Sequence, residues 1–125
     1  MPSVSAVLVD DHDLFRGGLR TVLEDHGVQV VGEAADGERG AALVAELAPD
    51  VAVMDLNMPG IGGVEAIRRI TALDVPTRVL VLTISSDDRS IADAMSAGAT
   101  GCMIKDAPVD ELAAAVVETA AKPSA

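Results

Sequence analysis

Short apolar runs alternate along this chain with longer stretches in which apolar residues recur every three or four positions. Val4-Ser5-Ala6-Val7-Leu8-Val9, Val51-Ala52-Val53-Met54 and Arg78-Val79-Leu80-Val81-Leu82-Thr83 have the length and valine content of strands buried on both faces. Gln29-Val30-Val31-Gly32-Glu33-Ala34 is a weaker run that fits a strand nearer an edge, and Gly101 to Ile104 predicts a short fifth strand. Between them lie helical patterns. Leu14, Leu19, Val22 and Leu23 trace one face of a first helix, with Asp13 placed to cap its start and Gly27 to end it. The Gly17-Gly18 pair weakens that helix by about 1 kcal/mol per glycine relative to alanine, so tertiary packing must hold it. Asp36 opens a second helix that runs to about Ala48 and stops at Pro49. A third runs from about Val64 to Ala72, after a loop with one proline and three glycines between Asp55 and Gly63. Ser85-x-x-Asp88 reads as a capping box for a fourth helix through Met95, with Gly98 as its stop. Asp87 and Asp88 would complement the dipole of that helix. Pro108 sits where the first turn of the last helix begins, and that helix runs to about Ala121.

Five strands alternating with five helices predict an α/β chain of (βα)5 type. Right-handed crossovers then produce an open parallel five-stranded sheet with helices on both faces. In such sheets the site lies at the carboxyl ends of the strands, beside the switch point in strand order. Asp10, Asp11, Asp55, Thr83 and Lys105 all fall at predicted strand ends of that kind. Each alone has a plain explanation as a turn, strand-end or surface residue; five on one edge of one sheet point to a site. Three carboxylates brought within a few ångströms of each other repel, and a hard divalent cation relieves the repulsion.

Composition narrows the choice of function. Half the residues are apolar but the only aromatic is Phe15, so the core is aliphatic and alanine-rich. No uncharged apolar stretch approaches the roughly 18 residues of a membrane span. The N-terminus lacks the basic and apolar regions of a signal peptide, and the single Cys102 permits neither an internal disulfide nor a cysteine-built zinc site. A reducing, cytoplasmic setting follows as the expectation. With 20 acids against 9 bases the net charge is -11, so the segment is a poor partner for nucleic acid by itself. His12 and His26 lack cysteine or histidine partners at metal-ligand spacing and read as solvated; Ser85 and Ser86 lack a positioned histidine.

The acid pair Asp10-Asp11, the run Asp55-Leu56-Asn57-Met58-Pro59-Gly60-Ile61-Gly62-Gly63-Val64-Glu65, Thr83 and Lys105 together resemble the receiver domains of two-component response regulators. The resemblance covers the chain from Val4 to about Ala120. Asp-Asp-His-x-Leu-x-Arg-x-Gly-Leu and Lys-Asp-Ala are similar to the LuxR-type regulators, which carry a helix-turn-helix output domain after a linker. It implies a flavodoxin-like fold, a receiver unit over residues 1–121, and the start of a linker at residues 122–125. It implies that Asp55 is the phospho-acceptor, taking a phosphoryl group from a sensor histidine kinase, and that Lys105 and Thr83 meet that group. Asp11 and Asp55 would bind Mg²⁺ directly with the backbone carbonyl of Asn57, and Asp10 would act through water. A second copy of the chain is a candidate partner; a membrane is not; DNA would be reached only through a helix-turn-helix domain absent from this chain.

Departures from the family pattern shape the expectations. Cys102 stands where most receivers have Tyr or Phe, and Ile84 follows Thr83 where many have a small residue. Ile84 is therefore expected to fill the space a ring would enter, with the aromatic relay absent or replaced. Asp106 stands in place of a proline that often follows the lysine. Two other functions are kept in view: a receiver fold regulated by a ligand or partner without phosphorylation, and a Mg²⁺-dependent phosphatase with an aspartyl nucleophile. The phosphatase ranks last, because Asn57 stands where such enzymes usually have a second acid.

Overall fold

The computed structural model describes residues 3–84 and 88–122. Strands and helices alternate as β1 (Ser5–Val9), α1 (Asp13–Asp25), β2 (Gln29–Ala34), α2 (Gly37–Leu47), β3 (Val51–Asp55), α3 (Gly62–Thr71), β4 (Arg78–Thr83), α4 (Asp88–Ala97), β5 (Gly101–Ile104) and α5 (Val109–Ala121). All strand pairs are parallel, in the order β2-β1-β3-β4-β5. This is the flavodoxin-like sheet expected, and β2 is the edge strand that its weak pattern implied.

Side-chain alternation divides the core into two layers. Val7, Val9, Ala52, Met54, Val79 and Val81 pack with Val44, Ile67, Ile70 and Ala94 on the side of α2, α3 and α4. Ala6, Leu8, Val51, Val53, Leu80 and Leu82 pack on the other side with Leu19, Leu23, Leu112 and Val116, under α1 and α5. Successive strand residues point to opposite faces, so strands apolar at every position demand a cover on both sides. Two close approaches need glycine. A Cβ at Gly40 of α2 would stand 2.6 Å from Val9 Cγ2, and one at Gly63 of α3 would stand 2.5 Å from the Asp55 carbonyl oxygen.

Several element ends differ from the expected ones. The cap of α1 is His12, not Asp13, and no side chain caps that helix; Asp13 lies in the first turn, where Arg16 Nη2 donates to its Oδ1 at 2.9 Å. An acid can cap only from the residue before the first helical one, and here the helix begins at the acid itself. Asp36 caps α2 as expected, accepting from Arg39 N at 2.8 Å. Helix α3 begins at Gly62, α4 reaches Ala97, and Pro108 is the cap residue of α5. The capping box from Ser85 to Asp88, and the Asp87–Asp88 dipole pair, rest on side chains outside the described residues. Among the described residues no helix is long and apolar enough to cross a membrane.

Candidate functional site

Strand ends deliver the acids. β1 and β3 are neighbours, with Val9 paired to Met54, so the residues that follow each strand emerge side by side. Asp10, Asp11, His12 and Asp55 each offer a ligand atom, and these atoms lie within 4.8 Å of one another. Asp10 and Asp55 are 5% and 2% exposed, while Asp11 is half-buried. Lys105 comes in from the end of β5, where its N–H donates to the Thr83 carbonyl at 2.8 Å. It is itself buried, with Nζ 2.7 Å from Asp10 Oδ2 and 3.4 Å from Asp55 Oδ2. The ring of Phe15, on α1, covers the ammonium with its centroid 4.5 Å from Nζ. Thr83 is buried at the end of β4, one residue beyond Leu82, the partner of Asp55 in the sheet. Asn57 contributes a backbone N–H to Asp55 Oδ1 at 3.1 Å.

The electrostatics of Asp55 are unfavourable to its charge. Burial pushes its carboxyl above the ordinary range and the Asp10 charge adds to this; the Asn57 N–H and Lys105 oppose the shift without cancelling it. Three carboxylates against one ammonium leave two negative charges in the cluster. Among the described residues, the buried carboxylate oxygens that accept no hydrogen bond are Asp10 Oδ2 and Asp11 Oδ1. Lys105 neutralises Asp10 by proximity, at an angle too oblique for a hydrogen bond. Oxygen donors, a charge deficit of two and orphaned oxygens in one place fit a hard divalent cation.

A brace behind the cluster fixes its backbone. Arg16 of α1 donates through Nη1 to the Asp10 carbonyl, through Nη2 to Asp13, and through Nε to Glu33 Oε1 at 2.9 Å. Arg20 Nη1 meets Glu33 Oε2 at 2.5 Å. Burial pushes the Glu33 carboxyl up, but hydrogen bonds from the two guanidiniums outweigh it and hold the group below its ordinary value.

All the residues expected at the strand ends converge, with Asp10, Asp11, Asp55 and Lys105 in mutual contact. Two others were not expected there. His12 is exposed, as its sequence context implies, yet its Nδ1 lies 3.2 Å from Asp10 Oδ1 and 3.3 Å from Asp11 Oδ1. Phe15 reads in sequence only as a core aromatic. The available signal was local: both stand within four residues of Asp11, at the start of the helix that follows it. Ile84 overturns an expectation. It is 68% exposed, so it fills no buried space; with Leu14, Phe15, His12, Lys105 and Asp106 it lines an open depression of about 400 Å³ beside the acids. Directly after a buried strand end, the chain leaves the core, and its side chain leaves with it. Cys102 is half-buried against the α2–α3–α4 layer, where burial pushes its thiol up.

Comparison with known proteins agrees with this geometry. The family model for the response regulator receiver domain matches residues 6–117. The response regulator GacA of Pseudomonas aeruginosa is 43% identical over 114 residues, covering 90% of this chain and 53% of that protein. The response regulator UvrY of Escherichia coli is 41% identical over 114 residues, covering 90% of this chain and 52% of that protein. The chain thus spans about half the length of these curated relatives. Among solved structures, the signal receiver domain of NarL from Mycobacterium tuberculosis superposes with a TM-score of 0.92 at 36% identity, covering 96% of this chain and 98% of that one.

Proposed function

Given that the chain belongs to the response regulator receiver domains of two-component systems, we propose that Asp55 is its phospho-acceptor and a sensor histidine kinase its donor. The observation that carries this reading is the convergence of three acids and a buried lysine around Asp55 at one sheet edge. A carboxylate oxygen of Asp55 attacks the phosphorus of a phosphohistidine; the P–N bond breaks, a P–O bond forms, and the leaving imidazole takes up a proton. Lys105, already 3.4 Å from Asp55 Oδ2, meets the charge on the transferred group. The Thr83 hydroxyl donates to the same group, and the Asn57 N–H holds the Asp55 carboxylate in line. Asp11, Asp55 and the Asn57 carbonyl hold Mg²⁺, with Asp10 acting through water. When bound, the ion bridges the acids to a phosphoryl oxygen and neutralises developing charge.

The acyl phosphate adds negative charge where burial already disfavours it, which biases the surface around the site between two states. Residues 1–121 form the receiver unit and 122–125 start a linker; the whole protein works in the cytoplasm and controls transcription through a helix-turn-helix domain, and the receiver pairs with a second copy when phosphorylated. Incubation with Mg²⁺ and a small acyl phosphate, followed by intact-mass measurement, tests the core of this reading. One phosphoryl adduct is expected in the parent and none in Asp55→Asn. A parent that takes no phosphoryl group from a small donor or from its kinase would instead be a receiver regulated by a ligand or partner. Turnover of unrelated phosphoesters would mark a phosphatase.

A further inference from the structure

His12 plays no part in the reading above, yet its ring belongs to the acid cluster. Its Nδ1 lies 3.2 Å from Asp10 Oδ1, 3.3 Å from Asp11 Oδ1 and 3.2 Å from Lys105 Nζ. The backbone sets this position. His12 N donates to Asp10 Oδ1 at 2.7 Å, closing a tight turn, and His12 caps α1. The side chain that follows the acid pair is thereby folded back onto it.

Hydrogen bonding alone does not satisfy that nitrogen. As an N–H it can donate to a carboxylate oxygen, but it then meets the Lys105 ammonium donor against donor. As a lone pair it can accept from Lys105, but it then faces two carboxylate oxygens, acceptor against acceptor. A metal ion suits the nitrogen and both oxygens at once. Ligands 2.1 Å from an octahedral ion stand about 3.0 Å apart along each edge. The separations of 3.2 and 3.3 Å are within a few tenths of an ångström of that edge. An independent sign is Asp10 Oδ2, which accepts no hydrogen bond on a side chain 7% exposed.

We infer that His12 Nδ1 is a direct metal ligand beside Asp11 and Asp55, and that it gives this receiver a preference for a divalent first-row transition ion over Mg²⁺. Imidazole favours the later first-row metals, whereas Mg²⁺ takes oxygen and keeps its waters. The His12 side chain is 60% exposed, so the ring can settle onto an ion without repacking the core. The inference rests on the reading that Asp11 and Asp55 hold a divalent cation.

Mn²⁺ is the probe. Titrating the full chain with MnCl₂ while following the free-ion electron paramagnetic resonance signal gives the affinity, and electron spin-echo modulation of the bound ion reports coordinated nitrogen. The parent is expected to show ¹⁴N modulation that becomes ¹⁵N modulation when its histidines are labelled. His12→Asn, checked for folding by circular dichroism, should lose the modulation. It should also bind Mn²⁺ at least about tenfold more weakly, since losing even an outer partner of a ligand has that effect. Its Mg²⁺ affinity, measured by competition, should stay close to the parent's. Mn²⁺ that binds the parent without nitrogen modulation, and is lost in Asp11→Asn, overturns the role of His12 and leaves the acids as metal holders. A parent that binds no Mn²⁺ overturns both.

Discussion

Asp55 and Glu33 are both buried enough to disfavour their charge, and both touch cations, yet they end on opposite sides of their ordinary pKa ranges. Glu33 receives hydrogen bonds from two guanidiniums at 2.9 and 2.5 Å, one on each oxygen, and its carboxyl is held down. Asp55 has one ammonium at 3.4 Å, one backbone N–H, and Asp10 as a like-charged neighbour, and its carboxyl is pushed up. The difference separates an acid that the fold has satisfied from an acid that it has left wanting positive charge. The first braces α1 against β2; the second is ready for an ion or a reacting phosphoryl group.

The largest expected effect comes from the backbone that carries Asp55. A methyl at Gly63 would press on the Asp55 carbonyl oxygen and Leu56 Cα, at 2.5 and 2.7 Å, with no flexible atom to give way. Gly63→Ala should lower stability by about 1–3 kcal/mol in urea unfolding, the usual range for overpacking. If the comparison is right, it also impairs phosphoryl uptake while leaving the Glu33 brace intact. Glu33→Gln works on the other side. Removing charged hydrogen bonds of this type should lower stability by about 1–3 kcal/mol at neutral pH. Because the Glu33 carboxyl is depressed, its contribution is present above the unfolded pKa and lost as pH falls through the folded one. Parent and variant should therefore converge in acid, and a gap that persists there would mean the brace acts through packing.

Asp55 has the opposite sign. A raised carboxyl loses stability as pH climbs from the unfolded pKa to the folded one, and the deficit remains above it. Asp55→Asn should therefore raise the melting temperature at neutral pH. Mg²⁺ should raise that of the parent, since it binds the folded state, and should do little for Asp11→Asn. The smallest effect is on α1, which carries both arginines of the brace. Gly17 and Gly18 are exposed, and a Cβ at either would meet nothing within 4 Å. Alanine at each should add about 0.5–1 kcal/mol of stability without altering Asp55.

How far the sequence discloses this molecule depends on which interactions are local. The sheet, its edge strand and the acid pair are legible because Val-rich runs and strand-end carboxylates repeat a simple period. The pairing of Lys105 with Asp10, 95 positions apart, follows once the strand order is known. The brace does not follow. Arg16 and Glu33 lie 17 residues apart on different elements, and nothing in their spacing says that they meet. His12 was hidden for another reason: an exposed histidine with no histidine or cysteine partner looks idle until the Asp10 turn folds it back. Ile84 misled because side-chain size says nothing of direction at the point where a strand leaves the core.

The most direct test is a ¹³C carboxyl titration that follows Asp55 and Glu33 in the same sample, with and without Mg²⁺. Asp55 should titrate above the ordinary aspartate range and Glu33 below the ordinary glutamate range, and Mg²⁺ should move Asp55 down while leaving Glu33 unchanged. An Asp55 that titrates at or below the ordinary range, or does not respond to Mg²⁺, would contradict the account.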